Sequence, residues 1–232
     1  KGTIENPVVN NGTLTVEDSK DTTTVTVGNT TVNEDATSAT VEVTLDGHIF
    51  KTGETVTVRV GDKDVEFKTN GTQNVTFTVT PDSDSIIEAD STKDITATVT
   101  SNKGTIENPV VNNGTLTVED SKDTTTVTVG NTTVNEDATS ATVEVTLDGH
   151  IFKTGETVTV TVVDTTVDFT ENGTKNATFT VTPDSDSIKE ADSTKDITAT
   201  VTSSAGDIEE PAVNNGKLTV EDLKDTTTVT EI

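Results

Sequence analysis

Apolar side chains recur at every second position over short stretches of this chain. Val41, Val43 and Leu45 alternate with Glu42 and Thr44, and Val56, Val58 and Val60 alternate with Thr57 and Arg59. The spacing returns at Val75, Phe77 and Val79, at Ile95, Ala97 and Val99, and at Leu116 and Val118. A period of two puts one set of side chains on one face of a strand, so each stretch is expected to be a half-buried β-strand. No segment sustains the 3.6-residue period of an amphipathic helix. Asp46-Gly47, Asn70-Gly71 and Asn113-Gly114 lie between the runs and are expected to supply the positive φ of tight turns. Some six or seven short strands in roughly 100 residues match an immunoglobulin-like β-sandwich.

The pattern also repeats on a larger scale. A shift of 102 residues superposes positions 1–58 on 103–160 without a substitution, and "NNGTLTVEDSKD" begins at Asn10 and again at Asn112, with a close variant at Asn214. The copies differ mainly between residues 59–75 and 161–177, and at scattered sites such as Ile87 against Lys189. Val65, Phe67 and Phe77 match Val167, Phe169 and Phe179, so the divergence is expected on an exposed surface. A period near 100 is one small domain rather than a solenoid unit. Adjacent near-identical domains suit a chain that spans a distance or presents equal sites, and shift the expectation away from catalysis.

Charge narrows the classes of partner. The 41 Asp and Glu residues against 15 Lys and Arg give a net charge of −26, with no Cys, Met, Trp or Tyr and six Phe. Binding nucleic acid requires clustered cations to neutralise phosphate, so no nucleic-acid partner is expected, nor contact with an anionic membrane. Disulfide and thiol chemistry are absent with the cysteines, and no apolar run reaches the roughly 18 residues of a membrane-spanning helix. The segment is expected to be a monomer whose partners are neighbouring repeats of its own chain.

The carboxylates are clustered. Glu34 and Asp35 precede a strand; "PDSDSIIEADSTKD" holds Asp82, Asp84, Glu88, Asp90 and Asp94; "VEDSKD" holds Glu119, Asp120 and Asp123. Two carboxylates about 5 Å apart repel by about 3 kcal/mol at an effective dielectric near 20, and several such pairs rival the roughly 5–15 kcal/mol stability of a whole domain. A divalent cation reverses that sign. Oxygen donors without Cys or His favour Ca²⁺ or Mg²⁺, and flexible multi-carboxylate loops favour Ca²⁺. Glycine is missing from the sixth position counted from Asp82, which excludes an EF-hand loop. His48 and His150 are one position seen twice, read as a turn residue rather than a ligand.

The order "TTVNEDATSATVEVTL", "GETVTV", "TFTVTPDSDSIIEADSTKDITATVT" and "GTLTVEDSKD" resembles Calx-beta sandwiches. It is also similar to the tandem extender repeats of large type-I-secreted RTX adhesins, the biofilm-forming large adhesion protein class. The resemblance implies an all-β chain of tandem immunoglobulin-like, Calx-beta-like β-sandwiches in an extended rod. It implies residues 1–20 as the last strand of one repeat, 21–122 and 123–224 as complete sandwiches, and 225–232 as the start of another. It further implies structural Ca²⁺ held by Glu34, Asp82, Asp84, Glu88, Asp120 and Asp123, and in the second copy by Glu136, Asp184, Asp186, Glu190, Asp222 and Asp225. The late loop reads Asp-Ser-Asp-Ser, departing from adjacent aspartates.

No Ser-His-Asp set, cysteine nucleophile or phosphate-cradling glycine loop is present, and no enzyme is expected. Outward threonines such as Thr22, Thr24 and Thr26 leave a repeated glycan- or ice-binding module as the alternative to a spacer. The expectation is the extender region of an adhesin outside a bacterial cell, projecting a distal binding domain.

Overall fold

A computed structural model describes residues 1–184 and 186–224, so the opening strand expected at 225–232, and the candidate ligand Asp225, lie outside the described residues. The chain is all-β among these residues. The first copy contributes β1 (Thr23–Val27), β2 (Thr30–Asn33), β3 (Ser38–Asp46), β4 (Val56–Val60), β5 (Lys63–Phe67), β6 (Gly71–Thr78), β7 (Ser91–Ile95), β8 (Ala97–Ser101), β9 (Pro109–Asn112) and β10 (Gly114–Glu119). The second contributes β11 (Thr126–Val129), β12 (Thr132–Asn135), β13 (Ser140–Asp148), β14 (Val158–Val162), β15 (Thr165–Phe169), β16 (Gly173–Thr180), β17 (Ser193–Ile197), β18 (Ala199–Ser203), β19 (Ala212–Asn214) and β20 (Gly216–Glu221). In the second copy the sheets run β16-β13-β11-β19, β15-β14-β18 and β12-β20-β17, and the first copy repeats the same three orders.

The described chain divides into two compact units. The first comprises Lys1–Thr30, Thr40–Phe77 and Lys93–Leu116; the second comprises Thr31–Ala39, Thr78–Thr92 and the described residues from Thr117 onward. The second unit thus contains the second sandwich together with three segments from the first copy, 31–39, 78–92 and 117–122.

Alternation along the strands builds each core. In β3 the burial alternates strictly through its first six residues, with Val41, Val43 and Leu45 at 1% exposure or less. They pack with Val25, Val56, Val58, Val60 and Phe67 in the first unit. Val127, Val143, Val145, Leu147, Val158 and Phe169 do the same in the second. Each fully buried Val or Phe contributes about 1.5–3 kcal/mol relative to exposure, so these side chains dominate the favourable side of folding.

Ten strands form in each copy where six or seven were expected, because long strands break as they pass between sheets. β1 and β2 are interrupted at Gly28-Asn29, and β9 and β10 at Asn113, and the two breaks lie against each other. A Cβ on Gly114 would stand 2.2 Å from the Gly28 carbonyl oxygen, and one on Gly216 would stand 2.1 Å from that of Gly130. Asn113-Gly114 is therefore a crossing point and not the hairpin turn expected. Gly47, by contrast, has the left-handed φ of 71° that its turn requires. First and last strands run parallel through the crossing: β11 pairs with β19 and β12 with β20.

Residues that differ between copies face outward in the β4–β5 hairpin. Arg59 pairs across the hairpin with Asp64, its Nη1 3.2 Å from Oδ1, where the second copy sets Thr161 opposite Thr166.

Candidate functional site

Within the second unit, three chain segments deliver carboxylates to one place. Glu34 follows β2, Asp84 and Glu88 lie in the loop after β6, and Asp120 and Asp123 follow β10. The strand ends aim them together because β2 and β10 are neighbours in one sheet: the Glu34 N–H donates to the Glu119 carbonyl at 2.9 Å, and the Asp82 N–H to the Glu34 carbonyl at 3.1 Å.

Glu34 is 5% exposed. Burial pushes its carboxyl above the usual range, and the neighbouring charges of Asp120 and Asp84 add to this, against lowering hydrogen bonds from Ser121 and the Asp84 backbone. Asp120 Oδ2 accepts the Glu88 N–H at 3.0 Å, and Asp90 Oδ1 accepts the Asp120 N–H at 3.2 Å.

A residue that sequence reasoning missed completes the cluster. Glu209 is 3% exposed and its Oε2 accepts the Asp123 N–H at 2.6 Å. Burial raises its carboxyl, as do Asp120 and Asp123, while the Asp123 N–H pulls the other way. The available signal was its recurrence at a 102-residue shift, as Glu107 in "IENP" and Glu209 in "IEEP", which lies outside the acidic stretches that supplied the expected ligands. Lys153 is the second omission. Its Nζ lies 3.1 Å from Asp84 Oδ2 and hydrogen-bonds Glu88, and these bonds, that of Glu88 foremost, raise its basicity against the opposing effect of burial.

Asp120 Oδ1, Asp123 Oδ2 and Glu209 Oε1 are buried without a hydrogen-bond donor. Asp84 Oδ2, buried beside them, has the Lys153 ammonium as its partner. Buried carboxylate oxygens left unsatisfied are costly, and their chemistry is that of a hard, oxygen-seeking cation such as Ca²⁺. The donors therefore fit in kind. Among the described residues, however, no three His, Cys, Asp or Glu side chains are already gathered into a metal-holding group, so binding would require carboxylates to rotate inward.

The other expected ligands are placed less centrally. Asp82 is exposed and contributes its backbone N–H. In the second copy Glu136 is buried, the Asp184 N–H donates to its carbonyl at 2.9 Å, and the Asp222 N–H donates to Asp192 Oδ1 at 3.3 Å. Asp186 and Glu190 are exposed.

His48 and His150 each lie against one glutamate and one threonine. His150 Nε2 lies 2.8 Å from Glu156 Oε1 and its Nδ1 2.8 Å from the Thr125 hydroxyl. His48 repeats this with Glu54 and Thr23 at 3.1 and 2.8 Å. The Lys51 N–H, the Ser101 hydroxyl and His48 hold the Glu54 carboxyl down to about 2, against the opposing effect of burial. Burial pushes the Glu156 carboxyl up, but hydrogen bonds from Ser203, the Lys153 backbone and His150 together outweigh it.

No helix among the described residues is long and apolar enough to cross a membrane. No family model and no curated protein matches the sequence. Among solved structures, the chain is similar to the CBD12 fragment of CALX1.2, with a TM-score of 0.28 and 11% identity over 86% of this chain and 100% of that one. It is similar to the calcium binding domain CBD12 of CALX1.1, with a TM-score of 0.33 and 9% identity over 84% and 98% of the two chains. A 1.5-MDa bacterial ice-binding adhesin gives a TM-score of 0.27 and 20% identity over 89% of this chain and 67% of that one.

Proposed function

We propose that this chain is a calcium-stabilised spacer from the extender region of a bacterial cell-surface adhesin, acting outside the cell to hold a distal binding domain away from it for adhesion or biofilm formation. One observation carries the reading: in the second unit, carboxylates from first-copy loops, from the "VEDSKD" stretch and from the second copy converge, with buried oxygens that lack donors. Near-identical repetition supports it, since a spacer gains length by adding copies and needs no new chemistry in each.

In this reading Glu34, Asp84, Asp120, Asp123 and Glu209 would hold Ca²⁺, which would supply the positive charge their mutual repulsion calls for. The residues themselves bring loop, connecting stretch and second sandwich together. The glycan- or ice-binding alternative receives less support, because exposed threonines pair with each other across strands: Thr40 with Thr76 at 3.0 Å and Thr44 with Thr72 at 2.8 Å between hydroxyl oxygens.

A ligand that binds only the folded state adds about 2.7 kcal/mol at a hundredfold excess over its Kd. Millimolar Ca²⁺ should raise the melting temperature by several degrees, as calorimetry would show, and NaCl at equal ionic strength should not. Equal shifts from both salts would leave surface-charge screening as the whole effect.

A further inference from the structure

Each copy ties its beginning to its end by bonds of one constant spacing. In the first unit the Asp21 N–H donates to Glu107 Oε2 at 3.4 Å, and the Thr115 N–H to Asn29 Oδ1 at 2.9 Å. Asn108 Nδ2 donates to the Thr22 hydroxyl at 3.0 Å and Asn112 Nδ2 to the Thr26 hydroxyl at 3.3 Å. In the second unit the Asp123 N–H donates to Glu209 Oε2, Asn214 Nδ2 to the Thr128 hydroxyl at 3.3 Å, and the Lys217 N–H to Asn131 Oδ1 at 2.8 Å. Every one of these joins residues 86 positions apart. A constant separation means that the first and last segments run in the same direction without slipping in register.

Backbone ladders lie under these bonds. β11 pairs in parallel with β19 from Thr126 opposite Ala212 to Thr128 opposite Asn214, and β12 with β20 from Thr132 opposite Leu218 to Asn135 opposite Glu221. The Ala212 N–H donates to the Thr125 carbonyl at 2.8 Å and the Glu136 N–H to the Glu221 carbonyl at 3.0 Å, so both ladders run on past the strand ends. The two belong to different sheets, and the strands change sheet together where Gly130 meets Gly216. Sliding one ladder therefore drags the other. In the first unit β1 pairs in parallel with β9 in the same way, from Thr23 opposite Pro109 to Thr26 opposite Asn112.

The direction of a load decides how such ladders break. Ladder bonds lie across the strands, joining one to its neighbour. A force that enters the second copy at the start of β11 and leaves at the end of β20 draws two parallel strands in opposite senses along their lengths. All the bonds between them are then loaded at once, in shear. A force that separates the same ends of the two strands loads the bonds one after another, as in opening a zip.

We propose that the paired first and last strands of each sandwich form a shear clamp, which makes the chain a load-bearing element under end-to-end tension. The spacer reading supplies the source of that tension, and the proposal rests on it for that alone. Unfolding under force follows the rate of crossing the unfolding barrier and not the equilibrium stability. The clamp therefore resists pulling to a degree that melting experiments do not reveal. Its backbone ladders need no cation.

The absence of cysteine allows handles to be placed at will. One preparation of the full chain carries Thr124→Cys with Lys224→Cys, which loads the clamp in shear; a second carries Thr124→Cys with Glu210→Cys, which draws apart the same ends of β11 and β19. All three positions are exposed. Both are pulled through DNA handles in optical tweezers at one loading rate, in EDTA. The expected result is a several-fold higher unfolding force for the first pair. Ala212→Pro, which removes the donor to Thr125, should lower that force by more than Val167→Ala, which empties part of the core away from the clamp. Equal forces in the two geometries, or a drop with Val167→Ala at least as large as with Ala212→Pro, overturns the clamp. The calcium-dependent melting that tests the spacer reading is measured without load, so either reading can fail while the other stands.

Discussion

Glu54 shows how a single buried charge is made stabilising. Its folded carboxyl lies near 2 against an ordinary 4.5, because donors from Lys51, Ser101 and His48 favour the charged form. A folded value below the unfolded one means the contribution is fully present above about 4.5 and is lost as pH falls toward 2. The shift corresponds to roughly 3 kcal/mol. Glu54→Gln should therefore cost the first unit about that much at neutral pH, and the gap between variant and parent should narrow steadily in acid, as denaturant titrations at a series of pH values would show. A gap independent of pH would mean that Glu54 acts by shape and not by charge. Lys153 offers a second test at this scale. Its ammonium is the built-in counter-charge of the acidic cluster, so Lys153→Met should cost the second unit about 1–3 kcal/mol in EDTA. Saturating Ca²⁺ should recover most of that loss if the cation occupies the same carboxylates. A calcium-independent loss would separate the lysine from the site.

Elements tolerate change where they face water and refuse it where backbones touch. The β4–β5 hairpin keeps Val58, Val60, Val65 and Phe67 buried while Arg59, Lys63, Asp64 and Glu66 point outward. Replacing residues 59–68 by their second-copy counterparts should leave stability within about 1 kcal/mol in urea unfolding; a loss of several kcal/mol would show that the outward face has a structural partner. Much of this is legible in sequence. Alternation reports burial because neighbouring side chains on a strand point to opposite faces, a rule that needs no knowledge of what lies opposite. The breaks in the strands are not legible in the same way: Asn113-Gly114 has the composition of a turn, and only the approach of Gly28 shows that the missing Cβ makes room for another backbone.

For the molecule as a whole, the acidic cluster predicts a calcium-dependent geometry. Like charges left unneutralised push their segments apart, whereas a shared cation would hold them together. X-ray scattering should give a better-defined maximum dimension in Ca²⁺ than in EDTA, and Asp120→Asn with Asp123→Asn should remove the difference while both sandwiches remain folded. Superimposable profiles, or a double variant that still responds, would exclude these carboxylates as the lock. The sequence by itself determined the all-β character, the repeat and the acidic stretches, since each is a local or periodic property of neighbouring residues. Tertiary structure alone decided which acids meet. Asp123 finds Glu209 across 86 positions, and Lys153 finds Glu88 across 65. Such pairs leave no periodic trace, because their proximity depends on where strand ends and loops arrive after the cores have packed.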